Sequence, residues 1–252
     1  MKLRLLLVWF GLVLAILSPA AESPAVPHTL VAVHGAWAGG WHFKKMAPLL
    51  EAQGWKVYRP SLSGLGEHFN TARADIGLET HIQDIVNLIL FEDLHDVILL
   101  GHSYGGMVIT GVADRIPERI ARLVYLDAAL PVDGESLMGS HKSGSFDLEK
   151  MTKDGFVVPN WVRPGKPFPI DVPHPLKTLT DPISLKNQTA AAKIPATYIL
   201  TVDPGKKPED DDFFAASERA RARGWPVIIM SADHNPQWRQ PEAVVKILLE
   251  LP

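Results

Sequence analysis

Short apolar runs alternate with longer amphipathic stretches along most of the chain. Leu30-Val31-Ala32-Val33 is apolar throughout and reads as a buried strand. Trp41 to Gln53 has helical spacing of Phe43, Met46, Leu49 and Leu50 and stops at Gly54. Lys56 to Arg59 predicts a second strand, ended by Pro60, and Glu79 to Leu90 a helix with Ile82, Ile85, Val86 and Ile89 on one face. Strands follow at Val97–Leu100, Leu123–Leu126, Thr197–Leu200 and Val227–Ile229, with helices at Tyr104–Ala113, about Asp212–Arg223 and Glu242–Leu249. Strands that are apolar on both faces and alternate with helices predict an α/β fold, a mostly parallel central sheet with helices on both faces.

Two segments fall outside this rhythm. Pro131 to about Lys193 is rich in proline and shows no clear strand. Long irregular stretches in compact domains usually serve a site, so residues 131–193 are expected to form an inserted cap rather than a surface excursion. Met1 to Ala21 carries Lys2 and Arg4, an apolar run from Leu5 to Leu17, and small residues at Ser18, Ala20 and Ala21. This is the pattern of a signal peptide, too short for a comfortable membrane span. The expectation is an exported protein, periplasmic or secreted, whose folded domain occupies 22–252 and which has no stable membrane insertion after cleavage.

Composition narrows the function classes. The 252 residues are 46% hydrophobic and 21% charged, enough for one sizeable core. A formal charge of -3 without a basic run gives no reason to expect nucleic acid as a partner. The absence of cysteine excludes disulfides, a thiolate nucleophile and Cys-ligated zinc. Glu209-Asp210-Asp211-Asp212 could gather a metal, but neighbouring carboxylates more often sit in solvent and suit a helix N-terminus. No metal or cofactor is expected. Asn187-Gln188-Thr189 has the form of a glycosylation sequon, a pattern common by chance.

The chemistry concentrates at Gly101-His102-Ser103-Tyr104-Gly105-Gly106, between a predicted strand and a predicted helix. In that context Gly-x-Ser-x-Gly is a sharp turn that lifts a serine hydroxyl off the sheet edge, and side chains at 101 or 105 would collide as the chain doubles back. A serine needs a base, and a histidine base needs an orienting carboxylate. Of ten histidines, His234 follows the last predicted strand and is the expected base. His102 is expected to point away from Ser103, and His34 to be a satisfied structural histidine. Exposure is the default for His28, His42, His68, His81, His95, His141 and His174. Asp203, after the strand Thr197–Leu200, is the direct candidate for the acid. Asp210, Asp211 and Asp212 lie further along the same loop, and Asp127, one strand earlier, competes with them. The oxyanion donors are expected to be the N–H groups of Tyr104 and of Ala36 in His34-Gly35-Ala36-Trp37. A mostly apolar site is expected, with Trp37, Trp41, Met107 and Trp161 as substrate contacts; Tyr104 is also near it in sequence, and Phe168 is expected to face it from the cap.

These motifs resemble the α/β-hydrolase superfamily. More narrowly they resemble the branch of plant methyl-ester esterases, hydroxynitrile lyases and bacterial pyrethroid-hydrolase-like carboxylesterases. The resemblance rests on His34-Gly35-Ala36-Trp37 with Gly39-Gly40-Trp41, Ser63-Gly64-Leu65-Gly66-Glu67, Gly101 to Met107, Leu126-Asp127-Ala128 and Asp233-His234. It is strong from Leu30 to Leu130, weak through the cap, and returns from Ile194. It implies an α/β-hydrolase fold with a cap, a triad of Ser103, Asp203 and His234, and cleavage of a small-molecule carboxylic ester through an acyl-enzyme. The loop Asp203 to Pro208 is longer than in the plant enzymes, which leaves Asp210 and Asp211 open beside Asp203. A hydroxynitrile lyase and a non-catalytic small-molecule binder are the alternatives. Plant lyases of this branch carry threonine and lysine where this chain has Gly35 and Asn235.

Overall fold

The computed structural model describes residues 28–140 and 148–251. The leader-like segment and His141 lie outside the described residues. Six strands form the central sheet: β1 (Thr29–Val33), β2 (Lys56–Tyr58), β3 (Val97–Ser103), β4 (Ile120–Ala128), β8 (Ala196–Val202) and β9 (Val227–Ser231). Their order is β2-β1-β3-β4-β8-β9, with every neighbouring pair parallel. Successive residues of β3 serve opposite faces: Val97 and Leu99 enter one core cluster, Ile98 and Leu100 the other. This is the period-two division that a sheet buried on both faces requires.

Helices cover both faces. α1 (Ala47–Glu51) and the terminal α10 (Pro241–Leu249) pack Leu50, Val244 and Leu248 on one side. α2 (Leu78–Phe91), α3 (Gly105–Arg115) and α8 (Phe214–Ala222) lie on the other. α2 buries Ile82, Ile85, Val86 and Ile89, the stripe its sequence predicted, together with Leu78 and His81. It meets α3 at Gly111, where a Cβ would stand 2.3 Å from Ile82 Cδ1. The single helix expected over Trp41–Gln53 is instead a 3-10 turn at Gly40–Phe43 followed by α1. Pro48, which lacks an N–H, fits only the first turn of a helix and so fixes where α1 begins.

Between β4 and β8 the chain leaves the sheet. It forms α4 (Leu137–Ser140), α5 (Leu148–Met151), a small antiparallel sheet of β5 (Thr152–Lys153), β6 (Phe156–Val157) and β7 (His174–Pro175), then α6 (Leu176–Thr180) and α7 (Gln188–Ala191). The strands correct the expectation of none: two-residue strands are too short to leave an alternating pattern. Leu137, Met151, Val157, Val172, Leu179 and Ile183 from this segment join the same core cluster as α2 and α3. The insertion is therefore packed into the molecule. α9 (Pro236–Arg239) connects β9 to α10.

Candidate active site

The turn after β3 is built from close backbone approaches. Ser103 has φ +55°, a left-handed conformation that costs an L-residue roughly 1–3 kcal/mol. A Cβ at Gly101 would meet Gly105 O at 2.7 Å, and one at Gly105 would meet Val33 O at 2.5 Å. The collisions expected at both positions are thus present. Ser103 lines a cavity of about 490 Å³, and so does His234, from the loop after β9. Among the described residues, no protein group hydrogen-bonds the Ser103 hydroxyl or His234 Nε2.

The carboxylate that holds His234 is Asp127. His234 Nδ1–H donates to Asp127 Oδ2 at 2.6 Å, and Asp127 Oδ1 accepts Thr201 N–H at 3.1 Å. Asp127 is fully buried. Its placement comes from a bulge between β3 and β4: His102 pairs with Leu126 and Ser103 with Ala128, so Asp127 is the extra residue. With φ +46° it turns its side chain out of the strand's alternation. Tyr198 clamps the next residue, donating to Ala128 O at 2.6 Å and accepting Ala128 N–H at 3.1 Å.

Asp203, expected against His234, is instead an ion pair with Lys206 at 2.7 Å, its side chain 43% exposed. It sits on the cavity rim with Asp210, Asp211 and Asp212. The loop turns back on itself here, with Lys206 N–H donating to Asp203 O and Lys207 N–H to Asp210 Oδ2. Asp211 accepts Phe213 N–H at 2.8 Å, just ahead of α8. Burial, then repulsion from Asp127, pushes the Asp211 carboxyl up to about 6. Among the described residues, no three His, Asp or Glu side chains gather as metal ligands.

The other histidines divide sharply. His34 is buried and satisfied, as expected: Nδ1–H donates to Gly35 O at 2.8 Å and Nε2 accepts Leu62 N–H at 3.0 Å. His102 donates through Nε2–H to His234 O at 2.7 Å. His28, His68 and His95 are exposed, His42 is half-buried on the cavity wall, and His81 and His174 are fully buried, against expectation. His81 Nε2–H donates to Ser63 O at 3.0 Å and Nδ1 accepts the Tyr104 hydroxyl at 2.9 Å. Burial lowers His34 to about 4 and His42 and His81 to about 3, and holds His102 and His174 well below the usual imidazole range. His234 goes the other way. Burial disfavours its cation, but the hydrogen bond and charge of Asp127, with the charges of Asp211 and Asp212, together outweigh burial and raise it above 6.5.

Ala36 and Trp37 line the cavity beneath β1, with Trp161 packed edge-on to Trp37 at 5.0 Å between ring centroids. Among the described residues, neither Ala36 N–H nor Tyr104 N–H donates to another protein group. The remaining expected contacts lie elsewhere. Met107 is enclosed in the core, since the first turn of α3 faces α2. Trp41 stacks edge-on against His42 and Trp238, outside the cavity. Tyr104 buries its ring, and Phe168 is exposed beside Phe69. The lining is also less apolar than expected. Leu137, Met138 and Leu179 from the cap and Phe213 face Asp171, the rim aspartates, Lys206 and Lys207. These contacts come from cap helices and from the segment after β8, whose approach no local pattern announces.

A family model described as the alpha/beta hydrolase family matches residues 30–247. The chain belongs to that family. Over 108 residues the chain is 53% identical to a carbendazim hydrolyzing esterase of Nocardioides sp. (strain SG-4G), covering 43% of the chain and 45% of that protein. It is 28% identical over 147 residues to a pyrethroid hydrolase of Sphingobium wenxiniae, covering 58% of the chain and 46% of that protein. In both alignments the chain spans under half the length of its relative. Among solved structures it resembles an extracellular alpha/beta-hydrolase from a Paenibacillus species, described as sharing structural and functional homology with tobacco salicylic acid binding protein 2. The TM-score is 0.74 at 25% identity, over 89% of this chain and 98% of that one. A pyrethroid hydrolase from Sphingobium faniae JZ-2 has the same fold, with TM-score 0.68 at 20% identity, over 89% and 97% of the two chains.

The His234–Asp127 pair predicts a titration signature. The His234 resonance followed by NMR should titrate above 6.5 and move down in Asp127→Asn, while Asp203→Asn leaves it nearly in place. Because the folded value is raised, the pair's contribution to stability is complete below about pH 6.5 and fades as pH rises through the folded value. Equal displacement by both variants would contradict the assignment.

Proposed function

We propose that this hydrolase cleaves small-molecule carboxylic esters, with Ser103 as nucleophile, His234 as base and Asp127 as the acid that orients the base. The observation that carries the reading is the 2.6 Å bond from buried Asp127 to an imidazole that shares its cavity with Ser103. The esterase names of several relatives support it.

Ser103 Oγ attacks the ester carbonyl as its proton passes to His234 Nε2. The carbonyl oxygen becomes an oxyanion, received by Ala36 N–H and Tyr104 N–H. His234 returns the proton to the departing alkoxide, leaving the acyl group on Ser103. Water then gives a proton to His234, attacks the acyl carbon, and the collapsing intermediate releases the acid and restores Ser103. Asp127 orients the imidazole and stabilises the imidazolium in both halves. The lyase alternative has no support at Gly35, where a Cβ would lie 2.9 Å from Ser103 Cβ. Threonine has no room there beside the nucleophile.

The N-terminal leader-like run supports export to the periplasm or medium, with a mature chain starting near Ala21 or Glu22. Mass spectrometry of the protein made by its native host should find that start, and an intact Met1 would contradict it.

The activity test is turnover of a graded panel of aryl and alkyl esters. Ser103→Ala should abolish it, and Asp127→Asn should lower kcat by about 10³–10⁴-fold, whereas Asp203→Asn should stay within about threefold of the parent. In the parent, kcat/KM should rise with pH through an ionisation above 6.5, as His234 loses its proton. Undiminished turnover in Ser103→Ala would overturn the reading.

A further inference from the structure

The two residues adjoining the proposed oxyanion hole are fastened to the cap by side chains that line no part of the cavity. His174, in β7, is fully buried, and its Nδ1 accepts Trp37 N–H at 3.1 Å. Its Nε2–H reaches Thr178 Oγ1, in α6, at 2.5 Å. Thr178 donates to Pro175 O at 2.9 Å, and the His174 ring packs edge-on to the Tyr104 ring with 5.2 Å between centroids. One cap pair therefore touches both sides of the hole: Trp37, next to Ala36, and Tyr104. Two more cap bonds hold Trp37, with Val172 N–H donating to Trp37 O at 2.8 Å and Trp37 Nε1–H donating to Val157 O at 2.9 Å.

The geometry of consecutive peptides gives these bonds their meaning. The peptide between Gly35 and Ala36 carries the Ala36 N–H, and His34 holds its carbonyl from the core side. The next peptide carries the Trp37 N–H, and His174 holds that from the cap side. Trp37 has φ +63°, a conformation that L-residues rarely adopt. A loop held this way at residue 37 has its Ala36 N–H aimed. The same loop released by the cap can relax toward ordinary backbone and swing that donor away.

We propose that His174, seconded by Thr178, is a positioning residue for the oxyanion hole, so that the seated cap sets the alignment of the Ala36 and Tyr104 N–H groups. This rests on the ester-hydrolysis reading above. His174 is in no contact with the cavity and acts through Trp37.

The test uses the full chain and a chromogenic short-chain ester, with kcat and KM measured separately and folding followed by circular dichroism and thermal melting. His174→Phe should lower kcat by about 30- to 300-fold with KM within about threefold, because a donor lost only in the transition state lowers kcat. Affinity for an arylboronate, which forms a tetrahedral adduct on a serine, should fall in step with kcat/KM. His174→Asn, whose amide oxygen can accept Trp37 N–H, should recover about tenfold over His174→Phe. Thr178→Val, close in shape but lacking the hydroxyl, should fall between. A folded His174→Phe protein with kcat within threefold of the parent would overturn the proposal and leave the esterase reading standing. So would a kcat loss that matches the unfolded fraction and is not recovered by asparagine. A parent that hydrolyses no ester would overturn both.

Discussion

The hydrogen bond from His234 Nδ1–H to Asp127 Oδ2 joins a loop after the edge strand β9 to the bulged end of the interior strand β4. Its carboxylate half is sealed from solvent, with Thr201 N–H on the second oxygen. A buried charge of this kind is tolerated only when its lone pairs are met, and here a backbone donor and an imidazole meet them. The bulge that makes this possible faces Ser103 across the strand pair. The same irregularity of β3 and β4 thus places both Ser103 and Asp127, and His234 shares the cavity with Ser103.

Around that pair the protein keeps the other buried and half-buried imidazoles neutral. His34, His42, His102 and His174 are pushed down by burial, and only the histidine on Asp127 is raised. The distinction is electrostatic rather than chemical, since all five side chains are the same. Neutral His34 and His174 can each accept an N–H through one ring nitrogen, which a doubly protonated ring could not do. Their neutrality is what lets them hold backbone around the proposed oxyanion hole.

Much of this was readable in the chain. The mostly parallel sheet, the glycine-walled turn at Ser103 and the loop that carries His234 follow from local patterns, and each stands where the periodicity and spacing put it. The carboxylate against His234 did not, and the reason is physical. Asp203 follows a strand, as the family pattern asks, but its loop folds outward and pairs it with Lys206. Asp127 reaches His234 through a bulge with φ +46°, a conformation aspartate tolerates better than most residues but does not announce in sequence. Leu126-Asp127-Ala128 was visible as a motif and Asp127 as a competitor; only tertiary pairing decides between them. His81 and His174 were missed for a related reason, because a buried histidine is recognised by partners that sit far away in sequence. Met107 lies close to the turn in sequence and Trp41 close to Ala36, yet helix geometry directs both away from the cavity.

The account stands or falls on Asp127 and His234 acting as one device with Ser103. The most direct measurement compares kcat/KM of His234→Ala with that of the double variant His234→Ala/Asp127→Asn on the same ester. A carboxylate whose work passes through the imidazole has nothing left to do once the imidazole is gone, so the double variant should match His234→Ala within about threefold. Losses that instead multiply, with the double variant slower than His234→Ala by the full factor that Asp127→Asn costs alone, would show Asp127 acting elsewhere and contradict the account.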